Sequence, residues 1–174
     1  MAKYGVFESV NMKSTHYGEH MFDAVVTAET QNGSVGYVED GTLKTFTTAT
    51  IGKFAPVIVD QVPWSYDTSS KKNQARSAFV NAKNTMVRTR AMGMGDRFAL
   101  TAEAISGTPA VGKYLVLANN SAKLTVADAA TGAFVAKITG THKSGECLST
   151  DGYVYGISDV MYDIEVLANT VSLA

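Results

Sequence analysis

Short apolar and alternating runs, punctuated by Gly, Asn and Asp, dominate the chain from residue 22 onward, which is strand patterning. Phe22 to Glu29 is the first clear run, and Asn32-Gly33 after it is a favoured two-residue hairpin turn. Ser34 to Val38 pairs back before Asp40-Gly41 turns the chain into Thr42 to Thr47, a meander in which Leu43, Thr45 and Thr47 share a face. Val57 to Val59 is a further run, closed by Pro63, which cannot donate to a ladder. The pattern predicts more strands at Met86 to Met92, Arg97 to Thr101, Tyr114 to Ala118, Lys123 to Ala127, Ala133 to Gly140, Tyr153 to Ile157 and Ile164 to Leu167. Asn119-Asn120 and Asp151-Gly152 supply turn chemistry between neighbours. Residues 65 to 83 are the least strand-like, and Ser69 or Ser70 caps at most one short helix there, through Ala78. No long repeat occurs. The expected fold is all-β, a compact barrel or sandwich of about ten short strands.

The first 20 residues mix Tyr4, Val6, Phe7, Met12 and Tyr17 with polar residues at no clean period. So many large apolar groups do not suit a frayed tail. The expectation is an extended N-terminal arm over 1–20 that docks on a partner, followed by a single β domain over 21–174.

Composition narrows the function classes. With 45% hydrophobic and 18% charged residues the chain has material for a core. Its formal net charge of -1 gives no field that draws nucleic acid or an anionic membrane, so neither is an expected partner. Cys147 is the only cysteine, which excludes an internal disulfide and any Cys-rich zinc site. No apolar run has the length of a signal peptide or a membrane span, so a soluble protein is expected.

Catalytic patterns are sparse. His16-Tyr17-Gly18-Glu19-His20 fits H-x-x-E-H, which on a helix places two imidazoles on one zinc ion. Gly18 costs that helix about 1 kcal/mol relative to Ala, and its neighbours have weak helix preference. A third ligand is also required, and the remaining histidine, His142, lies in a turn-like stretch. Gly93 to Asp96 lacks the strand-to-helix context of a phosphate loop and reads as a turn into the next strand. No G-x-S-x-G elbow places a hydrolase triad, and Asp159 and Asp163 read as turn acids more than as an acid/base pair. No catalytic residue, metal or cofactor is therefore expected.

Binding anchors are better represented. Arg88 and Arg90 are two apart, so on a strand they point to one face, where guanidinium forks suit a partner's carboxylates. A solvated edge that prevents aggregation is the plainer alternative. Trp64 and Tyr66 flank Ser65 with the same spacing and are core aromatics or an interface anchor. With Tyr4 and Phe7 of the arm, these six residues are the candidate partner interface.

At "SYD…FVNAK…RTRAMGMGDRFALTAEAISGTPAVGKYLVLANNSAKLTVA" the chain resembles the head decoration proteins of tailed bacteriophages. The likeness runs over roughly residues 57 to 168 and is strongest from Arg88 to Val126. It rests on Tyr66-Asp67, an Arg-containing strand into Gly95-Asp96, and "GTPAVGKYLVL" followed by a short hairpin. The resemblance implies a structural protein of the virion, made in the bacterial cytoplasm and placed on the outer capsid surface, with the major capsid protein and sister copies, threefold clusters among them, as partners. Two other classes stay open. One is a β module for carbohydrate or peptide, with Trp64, Tyr66, Tyr114, Tyr153 and Tyr155 as a stacking surface; the other is the zinc hydrolase.

Overall fold

The computed structural model describes residues 4–17, 20–63, 76–143 and 160–171. Among these described residues twelve strands and one five-residue helix stand in this order: β1 (Phe7–Asn11), α1 (Lys13–Tyr17), β2 (Met21–Val25), β3 (Val35–Glu39), β4 (Thr42–Lys44), β5 (Val57–Val59), β6 (Met86–Ala91), β7 (Arg97–Thr101), β8 (Ile105–Ser106), β9 (Tyr114–Val116), β10 (Leu124–Ala127), β11 (Phe134–Lys143) and β12 (Val160–Asn169). Short 3-10 turns occupy Arg76–Ala78 and Ala102–Ala104. The fold is all-β, as the alternation predicts.

Strands β2-β4-β3-β5-β6 close into a barrel, and the other seven form one sheet in the order β1-β7-β12-β11-β9-β10-β8. Val26, Val59, Val87 and Leu43 fill the barrel. Val35 and Ile58, paired across β3 and β5, point out of it and join Phe98, Leu100, Ile138 and Ile164 of the sheet in the main core. Sheet and barrel thus share one apolar core. Asp40 and Gly41, with φ of 51° and 69°, make the tight β3–β4 hairpin, because consecutive positive-φ residues match the right-handed strand twist. Asn32-Gly33 turns the chain but makes no hairpin: β2 pairs with β4 and β6 instead, while Asn32 donates from Nδ2 to the Gln61 carbonyl at 2.7 Å.

The N-terminal segment corrects the docking-arm expectation. Residues 7–11 are the edge strand β1, paired antiparallel with β7. Val6 and Phe7 are each 4% exposed and Met12 is fully buried. Phe7 packs on Phe98 with ring centroids 5.9 Å apart, on the inner face. Val6 meets Ala99 and Met161 in a separate small cluster. Two consecutive buried residues facing opposite sides, then a bulge between Ser9 and Asn11, leave no alternation to read. Helix α1 also departs from local propensity. Its first N–H, on Lys13, donates to Asp96 Oδ1 at 2.9 Å, a cap supplied from 83 residues away. The same carboxylate accepts the Gly93 N–H at 2.7 Å, so "GMGD" is a closed turn leading into β7.

Candidate interaction face

Strand β6 sets the geometry of the face. Val87, Thr89 and Ala91 point into the barrel, and Met86, Arg88 and Arg90 stand on its outer wall. Across the wall the β2 register places Met21 beside Arg90, Asp23 beside Arg88 and Val25 beside Met86. On the other side Asp60, just past β5, donates its backbone N–H to the Arg88 carbonyl at 3.0 Å, which brings its carboxylate between the two arginines.

That carboxylate changes the role expected for Arg88 and Arg90. Arg90 Nε donates to Asp60 Oδ2 at 2.5 Å. Arg88 Nε donates to the Asp60 carbonyl at 2.9 Å, and its Nη2 lies 3.4 Å from Oδ2. The two forks therefore meet a carboxylate of their own chain, with Arg90 only 8% exposed and near Thr15 of α1. Arg90 is an internal clamp joining β6, β5 and the helix; Arg88, half-buried, remains at the surface. Phe7 lies in the core and cannot anchor a partner. Tyr4 is partly exposed, and its N–H is held by the Ser77 carbonyl at 2.8 Å. Trp64 and Tyr66 lie outside the described residues, as do Tyr153, Tyr155, Cys147 and Asp159.

The wall carries apolar groups that the sequence reading passed over. Met86 is 64% exposed and Met21 37%, with exposed Asp23 and half-buried Arg88 between them. The signal was present in "MFDAV": Met21 and Val25 fall on the same face as Asp23, so the outer side of β2 is not uniformly polar. Exposed apolar side chains beside charge on paired strands make this wall a candidate interaction face.

A second cluster lies on the outer face of the large sheet. Glu8, Ala99, Asp163 and Gly140 stand side by side across four strands. The small Ala and Gly between and beside the acids leave room for the imidazole of His142. Its Nδ1 lies 2.8 Å from Asp163 Oδ1 and its Nε2 lies 3.4 Å from Glu8 Oε2. Arg76 pairs with Glu8 and donates to the outward carbonyl of Phe7 at 2.5 Å, capping the open edge of β1. Both ring nitrogens are engaged, so proton exchange with a substrate requires breaking one of these contacts. The arrangement ties the edge strand to β12 and β11.

The H-x-x-E-H spacing does not become a shared helical face, because α1 ends at Tyr17, before His20. His20 lines a cleft of about 300 Å³ with Lys13, Met92, Met94, Asp96 and Asn169. Both Asp96 oxygens there are taken by the backbone N–H groups of Lys13 and Gly93. Among the described residues no three His, Cys, Asp or Glu side chains gather as a metal site, and no helix is long and apolar enough to cross a membrane. The Lys113 ammonium beside Asp128 holds that carboxyl below the usual carboxylate range, and Glu39 beside Lys44 raises the lysine; both are solvent-facing pairs that contribute little to stability. No protein-family model, curated protein or solved structure matches the chain.

Proposed function

We propose that this chain is a structural decoration protein that binds the outer surface of an assembled phage head and slows its opening by bridging neighbouring subunits. The observation that carries the reading is the barrel wall, where Met86 and Met21 stay in solvent around Asp23 and Arg88 on paired strands. Rigid strands present such a surface at little ordering cost, which suits a cement better than a catalyst. The resemblance of residues 57–168 to head decoration proteins points the same way. Of the five aromatics considered for a carbohydrate-stacking surface, Tyr114 alone is described, and the Lys137 ammonium stands over its ring, 6.0 Å from the centroid.

Binding to the assembled state alone stabilises that state by mass action, and a shell multiplies the effect over its copies. Shells stripped of the protein should therefore burst at lower temperature or osmotic stress than decorated ones, and adding back the purified chain should restore resistance. Equal failure of bare and decorated shells would remove the stabilising role and leave adhesion as the better reading.

A further inference from the structure

The register of the barrel wall places an acid beside a base and an apolar residue beside another. Asp23 lies directly beside Arg88, Val25 beside Met86 and Met21 beside Arg90 on two antiparallel strands. Consider a second copy related by a twofold axis that runs parallel to these strands, between β2 and β6, in the plane of contact. That rotation lays β2 of one copy over β6 of the other and keeps every row at its level. In the Asp23/Arg88 and Val25/Met86 rows each residue then faces its own register neighbour from the other molecule, while Arg90, buried near α1, stays outside the contact. Asp23 meets the second copy's Arg88, Val25 meets its Met86, and each contact occurs twice. Acid faces base and apolar faces apolar without any change in the fold.

We propose that the β2/β6 wall is a twofold self-association face, occupied by a second copy of this chain. Isologous contact demands a self-complementary patch, and a strand pair with one acid–base row and one apolar row supplies it. Arg88 has donors to spare, because Asp60 takes two of the five N–H groups that a guanidinium carries. The pairing deepens the decoration reading and rests on it for the bridge alone: it gives the wall to contact between copies, so two joined copies, each holding one capsid subunit through another surface, make the bridge.

A contact of this small size predicts a dimer that forms on the order of 10–100 µM, visible by sedimentation of the full chain over a concentration series. Asp23→Lys sets lysine against Arg88 twice, and should weaken the dimer at least about tenfold while circular dichroism stays unchanged, since Asp23 is exposed. Arg88→Glu sets acid against Asp23 and should do the same. Mixed together, the two variants should recover a heterodimer, because lysine then faces glutamate and Arg88 faces Asp23. Should Arg88→Glu fail to fold, Met86→Lys replaces it as the second disrupting variant, again at an exposed site. A wild-type chain that stays monomeric at 1 mM (about a hundredfold above the lower expected value), that forms closed trimers, or whose dimer survives Asp23→Lys, overturns the twofold pairing. So does a mixture of folded charge variants that stays monomeric. Shell binding by the Asp23→Lys monomer separates the two ideas: lost pairing with retained attachment rejects only the bridge by dimer, and wild-type pairing without attachment rejects only decoration.

Discussion

Removing residues 1–11 should unfold the protein and not leave a smaller folded body. The deletion takes away β1, and with it Phe7 from the main core and Val6 from the cluster with Ala99 and Met161. It also removes Glu8, which holds both Arg76 and the Nε2 side of His142. Truncating one buried Phe to Ala typically costs about 3–5 kcal/mol, against a total stability of about 5–15 kcal/mol for a domain. Phe7→Ala alone should therefore lower the urea midpoint severely, and the deletion should abolish the cooperative transition. A truncated protein with the wild-type midpoint would show that β1 is dispensable and would restore the detachable-arm reading. The same experiment settles how attachment assays on truncations are to be read, since lost capsid binding would then report unfolding.

Asp60 should be the most sensitive polar position in the barrel. Its carboxylate is the partner of Arg90, which is 8% exposed, and it also engages Arg88 through carboxylate and carbonyl. Asp60→Ala leaves Arg90 in a low-dielectric site without its counter-charge, and breaking one side of such a pair costs about 3–5 kcal/mol. Adding Arg90→Met to that variant removes the stranded charge and should recover most of the loss, because an apolar side chain suits the site next to Ile58. Denaturant titration of the wild type, the single variant and the double variant measures both steps. An Asp60→Ala protein within 1 kcal/mol of wild type (about a fivefold change in the folding constant) would mean that water reaches Arg90 freely and that the clamp is ornamental.

Strand positions were legible where a run of apolar or β-branched residues is framed by turn residues. Arg97–Thr101 is β7 as expected, and Asp40-Gly41 closes a hairpin as its residue types require. Long-range partners were not legible. Helix α1 depends on Asp96, and the arginine pair depends on Asp60, some thirty residues before it in sequence and one strand away in space. The i, i+2 spacing correctly put Arg88 and Arg90 on one face, yet nothing local says whose carboxylate they meet. β1 was missed because buried Val6 and Phe7 face opposite sides, while Val10 and Asn11 beyond them are exposed across a bulge, so no alternation is left to read. The parallel pairings of β2 with β4 and β10 with β8 leave no turn signature, since parallel neighbours are joined by long connections. The exposed Met21 and Met86 were visible as residues but became a face only when the register brought β2 beside β6.

Electron cryomicroscopy of stripped phage heads incubated with the purified chain tests the decoration reading most directly. Density for the barrel and its adjoining sheet should appear at symmetry-related positions on the outer surface, with neighbouring copies meeting through the β2/β6 wall across a local twofold. Bare shells at saturating protein, with no ordered density outside the capsid, would contradict it.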